Sequence, residues 1–230
     1  MTRARDLADL FNGTNNSVLA YNSSGALTEY TLGDWEVLTV DEDTGLISTQ
    51  GAIGIYDNVV LLNSTGETIN LPGTGSDGWT VVIDGAGSTT DDRYLCGRVS
   101  LSGDSGFENG ASDYQWRVNN NGTMYASTGD TGLNFTGNPS ATNGVGNATG
   151  ELLSMRLSGY ESYSSTPTKF FEWQGSYISA GGNIHWFSGA GLYAGTGLVD
   201  AMEIYFSVTG PNGTRNSFDD GFMRSFVRSS

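Results

Sequence analysis

Histidine, cysteine and lysine each occur once in this 230-residue chain, as His185, Cys96 and Lys169, and these scarcities close off several chemistries. One thiol forms neither an internal disulfide nor a cysteine-based zinc site, and its place in the run Tyr94-Leu95-Cys96 predicts a buried, inert group. One imidazole cannot build a histidine-rich metal centre. Basic residues are also few: ten Lys and Arg against 25 Asp and Glu give a formal charge of −15, which repels phosphates and speaks against general binding along a nucleic-acid backbone. No apolar run reaches membrane-spanning length, so membrane insertion is not expected. The opening MTRARDLADLF scatters its charges instead of placing a basic start before an apolar core, so it does not read as a secretory signal and synthesis in a cytosol is expected.

What is present points to strands. Hydrophobic residues make up 37% and aromatics 11%, enough for a sizeable core, while 34 glycines and frequent Ser, Thr and Asn imply many turns. The aromatic mass concentrates between Leu152 and Phe206, in LLSMRL, KFFEWQ, NIHWF and AMEIYFSV. In alternation, Phe171 and Trp173 point one way and Phe170, Glu172 and Gln174 the other; Met202, Ile204 and Phe206 likewise oppose Glu203, Tyr205 and Ser207. Such runs, bounded by Gly, Ser, Thr and Pro, predict neighbouring antiparallel strands with one face in a core.

Three regions follow along the chain. Residues 1–13 predict a short amino-terminal helix with Leu7, Leu10 and Phe11 on one face and Arg3, Arg5, Asp6 and Asp9 around the rest, stopped by Asn12-Gly13. A helix of about ten residues is marginal in water, so it either docks on a partner or frays. Residues 14–72 predict a small β-rich module: SVLAY, ALTEYTL, WEVLTV and LIST, then Asn58 to Leu62 and Thr68 to Leu71 joined through Ser64-Thr65-Gly66-Glu67. Residues 73–230 predict an antiparallel β-sandwich of jelly-roll type, from WTVVIDG to GFMRSFV. The fold class is thus all-β. The acidic turn at Asp41 and Asp43 lacks the downstream bidentate glutamate of a calcium loop, and no metal is assigned to it.

MTRARDLADLF resembles the Arg-Ala-Arg-Asp-Leu-Ala-Asp-Leu opening of tail-fibre and other virion proteins of marine and cyanobacterial phages. WTVVIDG, LCGRVS, DYQW, GELLSMRLSGY with TKFFEWQGSYIS, IHWFSGAG and VDAMEIYFSVTG are similar to successive strands of their concanavalin-like jelly-roll modules. The likeness covers residues 1–11 and about 78–227, and DDGFMRSFV departs from the usual closing strand by carrying Arg224, Ser225 and Arg228. The resemblance implies a structural virion component: a homotrimeric, tail-fibre-like appendage, attached to other virion proteins through Arg3, Arg5, Leu7, Leu10 and Phe11 and displaying its β-module outward. A capsid decoration protein and a carbohydrate-binding host-adhesion module are the alternatives.

Chemistry is sparse. Glu172 and Glu203, with Glu161 and Asp200 nearby, are the best carboxylates for glycoside cleavage, but the Glu-x-Asp-x-x-Glu strand of concanavalin-like glycosidases is missing. No Gly-x-Ser-x-Gly elbow accompanies His185, and GAGLYAGTG (189–197) has the glycines of a dinucleotide fingerprint without its strand-then-helix context and reads as a loop. No enzyme and no cofactor are expected. Binding is the better prospect: Tyr160, Tyr177, Trp186 and Tyr193, with Tyr163, fall in or beside expected loops and could meet a host-surface glycan, or pack beneath those loops.

Overall fold

A computed structural model of the chain describes residues 17–21, 27–31, 36–40, 47–51, 58–71, 78–104, 106–137, 142–160 and 168–228. The described residues are all β, without a helix. The proposed helix, with Arg3, Arg5, Leu7, Leu10 and Phe11, lies outside them, as does the acidic turn of Asp41 and Asp43. Contacts divide the chain into residues 1–56 and 57–230.

The first unit contains two antiparallel strand pairs. β1 (Ser17–Tyr21) pairs with β2 (Leu27–Thr31), and β3 (Glu36–Val40) pairs with β4 (Ile47–Gly51). Their registers close at Tyr21↔Leu27 and Val40↔Ile47, where turn-forming residues separate the strands.

The second unit is an antiparallel β-sandwich. Its strands are β5 (Asn58–Leu61), β6 (Glu67–Asn70), β7 (Gly78–Ser88), β8 (Tyr94–Leu101), β9 (Tyr114–Asn120), β10 (Thr123–Asp130), β11 (Leu133–Asn134), β12 (Leu153–Tyr160), β13 (Lys169–Ile178), β14 (Ile184–Tyr193), β15 (Val199–Ser207), β16 (Arg215–Asn216) and β17 (Phe218–Arg228). Eight form one sheet in the order β10-β9-β14-β13-β12-β7-β17-β5. The other sheet runs β11-β8-β15-β16, and β6 also pairs with β15. The Ser64–Gly66 turn therefore does not close a hairpin: β5 adds to the edge beside β17, whereas β6 crosses to β15. Sequence grouping placed residues 58–71 with the amino-terminal module; their pairing places them in the sandwich.

Alternation explains the eight-stranded sheet. Along β12, Leu153, Met155, Leu157 and Gly159 are buried while Ser154 and Arg156 are exposed; along β13, Phe171, Trp173 and Tyr177 are buried while Phe170, Glu172 and Gln174 are exposed. The buried rows meet Leu95, Val99, Met202, Ile204 and Phe206 of the other sheet in one core. Trp173 anchors it, edge-on to Phe135 at 5.2 Å and donating its Nε1–H to the Phe135 carbonyl at 2.8 Å. Gly189 belongs to β14, and a Cβ there would lie 2.6 Å from the Trp173 ring. Gly189 and Gly191, expected in a loop, are instead strand positions beneath the Trp173 indole, whereas Gly195 and Gly197 do lie in the loop after β14.

β15 departs from the one-sided expectation. Met202, Ile204 and Phe206 enter the core, yet Glu203, Tyr205 and Ser207 are buried too. The segment after β15 covers them: Tyr205 donates its hydroxyl to the Pro211 carbonyl at 3.0 Å and Ser207 to that of Gly210 at 2.5 Å. Arg98 donates to the carbonyls of Thr131 at 2.9 Å and Pro211 at 2.7 Å, and its guanidinium and that of Arg215 lie 5.3 and 4.5 Å from the Tyr205 ring centre.

Candidate functional site

The opposite surface of the sandwich, the outer face of the eight-stranded sheet, is where exposed aromatic and polar side chains converge. Register sets its rows. Trp186 stands across from Ser176, and Ser176 from Ser154; in the next row Ser188, Gln174, Arg156, Val82 and Arg224 follow one another across five strands. Further along, Ala190, Glu172, Ser158, Thr80 and Phe226 form a third row, and Leu192, Phe170 and Tyr160 a fourth. At about 3.3 Å per residue and 4.8 Å per strand, this face measures about 20 Å each way.

Three of the hollows that indent it adjoin one another. One of about 830 Å³ lies between Trp186, Gln174, Arg156 and Asp84. One of about 640 Å³ lies beside Tyr160, Ser158, Thr80 and Phe226, and a third of about 350 Å³ lies between Tyr160, Glu172 and Gln174. Arg156 lines all three. Trp186 is 51% and Phe170 41% exposed, at opposite ends of the face. Tyr160 lies 6.3 Å from Phe170 and donates its hydroxyl to Glu172 Oε2 at 3.3 Å. Ser154 donates to Asp84 Oδ1 at 2.8 Å, and the Thr80 and Ser158 hydroxyls are 3.2 Å apart. Flat apolar rings flanking fixed hydroxyl, amide, carboxylate and guanidinium groups suit a ligand with apolar C–H faces and many hydroxyls.

The sequence-predicted contacts separate into two pairs. Trp186 and Tyr160 belong to this face. Tyr177 and Tyr193 do not: they are only 2% and 3% exposed, lie within β13 and β14 rather than in loops, and share the inward parity of Trp173 and Phe187. Burial pushes both phenols up from their ordinary range. Tyr177 serves a buried network with His185. Its hydroxyl donates to the Asn143 carbonyl at 2.6 Å and accepts from Asn120 Nδ2 at 2.8 Å, and its ring stacks on His185 at 5.1 Å. His185 Nδ1 sits 3.1 Å from Asn120 Oδ1; because the amide nitrogen already donates twice, this imidazole nitrogen is the donor. Burial holds the imidazole below its ordinary pKa, which favours the neutral ring.

The candidate carboxylates do not form an acid–base pair. Glu203 is in the other sheet, where its two oxygens receive Arg215 Nη1 and Nη2. Glu172 shares the outer face with Asp84, but register puts them about 16 Å apart, beyond the 5–9.5 Å that glycoside cleavage uses. Glu161 and Tyr163 fall outside the described residues, and no group of three or more metal-ligating side chains occurs among those described. Cys96 is buried, and burial drives its thiol well up.

Arg156, Arg224 and Phe170 went unmarked as site residues in the sequence. Their signal was outward parity: Arg156 falls between the buried Met155 and Leu157. What one strand could not show is that Gln174, Val82 and Arg224 arrive beside it from three others. No family model matches the chain, and neither do any curated protein or solved structure.

Proposed function

We propose that the chain is a non-enzymatic structural component of a phage virion surface, an appendage whose sandwich is displayed outward and binds host saccharide. The observation that carries the binding part is the outer face of the eight-stranded sheet, with Trp186 and Phe170–Tyr160 flanking polar groups over about 20 Å. This length suits several sugar rings, and its openness suits a chain more than an enclosed small molecule. The virion part rests on the amino-terminal resemblance and on an independent small unit preceding the sandwich. In this reading the first residues attach a homotrimer to tail or capsid proteins.

The test combines mass spectrometry of purified particles with glycan-array binding by the full chain. Particles should contain the chain, and Trp186→Ala should weaken glycan binding about tenfold, the cost of losing one stacking ring. Absence from particles removes the virion assignment, and unchanged binding by the variant removes Trp186 from the site.

A further inference from the structure

Cationic side chains are distributed unevenly over the sandwich. Residues 57–230 contain eight Lys and Arg: Arg93, Arg98, Arg117, Arg156, Lys169, Arg215, Arg224 and Arg228. Arg98 and Arg215 are held by Pro211, Thr131 and Glu203, Arg93 donates to the Asp92 carbonyl, and Lys169 is fully buried. Arg117, Arg156, Arg215 and Arg224 are the exposed ones among the described side chains; Arg215 is paired with Glu203, and the other three stand on the outer face of the eight-stranded sheet.

Arg156 is the central one. Its cross-strand neighbours are Gln174 and Val82, and Arg224 lies one strand past Val82 in the same row, about 10 Å away. The two carboxylates diagonal to it have other partners: Asp84 receives Ser154 and Glu172 receives Tyr160. Among the described residues, the Arg156 side chain makes neither a hydrogen bond nor an ion pair. A guanidinium has five N–H donors in a fork that matches a carboxylate. Here that fork opens into all three hollows.

Resting on the saccharide-binding reading above, we propose that the ligand is an acidic glycan whose uronic-acid carboxylates are received by Arg156 and Arg224, with its rings against Trp186 and Tyr160. The formal charge of −15 does not oppose this at close range. At about 0.15 M salt, charges are screened over about 8 Å, so the guanidiniums beside the ligand outweigh acidic groups elsewhere on the molecule.

The experiment measures binding of the full chain, as wild type, Arg156→Gln and Trp186→Ala, to an array of uronic-acid oligosaccharides and the same oligosaccharides with their carboxyls reduced to alcohols. The expected result is binding to the acidic forms, a loss of tenfold or more on carboxyl reduction, and a similar loss in Arg156→Gln, corresponding to about one charge-assisted hydrogen bond. Arg224→Gln should give a smaller loss in the same direction. The Arg156 side chain is exposed and has no bonding partner, so its removal leaves the fold intact, which thermal melts verify. Equal binding to acidic and reduced forms, with Arg156→Gln unchanged and Trp186→Ala weakened, overturns the acidic ligand and leaves saccharide binding standing. No binding to either form overturns both.

Discussion

Replacing Asn120 by aspartate exchanges an amide nitrogen for an oxygen without changing shape, yet it should lower the unfolding temperature of the sandwich by about 6–12 °C. Asn120 is 3% exposed and donates through Nδ2 to the Thr136 carbonyl and the Tyr177 hydroxyl, both at 2.8 Å, while Oδ1 accepts from His185. In aspartate the second oxygen faces the carbonyl of the fully buried Thr136. The bond to the Tyr177 hydroxyl is lost at about 1 kcal/mol, and the buried Thr136 carbonyl left without its donor costs about 1–3 kcal/mol. Turning the Tyr177 hydroxyl towards the new carboxylate would recover one bond but abandon the Asn143 carbonyl it now serves. The net cost is about 3 kcal/mol, and a domain of this size loses about 2–4 °C per kcal/mol. Calorimetric melts at pH 8, where His185 is neutral, measure it directly. A fall below about 2 °C would refute the reasoning, because it would mean that water or another donor reaches this amide.

Two further perturbations probe other parts of the fold. His185 has its pKa lowered by burial, so between its folded value and the ordinary 6.5 the unfolded chain binds more protons than the folded one. The associated stability is complete above pH 6.5 and is lost as pH falls through that window; melts of wild type and His185→Gln should diverge in slope below about pH 6.5, and parallel curves would contradict the assignment. Arg215→Met should destabilise more than Glu203→Gln, because it leaves a buried carboxylate unpaired whereas the glutamine still accepts from the arginine. Since the Arg215 side chain is 37% exposed, the cost falls short of a fully buried pair, at about 2 kcal/mol, readable as a lower urea midpoint; the reverse order would show that Glu203 does not need its partner.

Much of the sandwich was legible because its main signal is local. The alternation in LSMRLSGY and KFFEWQ assigns each side chain to a face using two-residue periodicity alone, and the structure has Phe171 and Trp173 inside with Phe170 and Glu172 outside. The same parity, counted six residues on from Phe171, places Tyr177 inside; the phenol and the nearby turn suggested a loop position, but a hydroxyl can be buried when Asn120 and Asn143 satisfy it. Illegible features depend on distant partners. Ser64–Gly66 has hairpin composition, yet β5 and β6 part company because β17 and β15, far along the chain, offer them separate edges. Likewise Glu203 has the sequence context of a surface carboxylate, and only Arg215, brought alongside by β16, makes burial tolerable.

The contrast between the two sheets narrows where a partner can act. On the five-stranded sheet, every side chain of β15 from Ala201 to Ser207 is buried, and the polar ones are matched: Glu203 by Arg215, Tyr205 by Pro211 and Ser207 by Gly210. A ligand there would have to break bonds already made in a low-dielectric setting. On the eight-stranded sheet, β14, β13 and β12 bury one face only, and their outer rows leave Trp186, Phe170 and Arg156 in solvent. Exposed aromatic surface and unfilled guanidinium donors both gain from contact with a partner, and neither contributes to holding the sandwich together. Substitutions on this face should therefore separate binding from folding, whereas substitutions at Asn120, His185 or Arg215 change stability while leaving the outer rows in place.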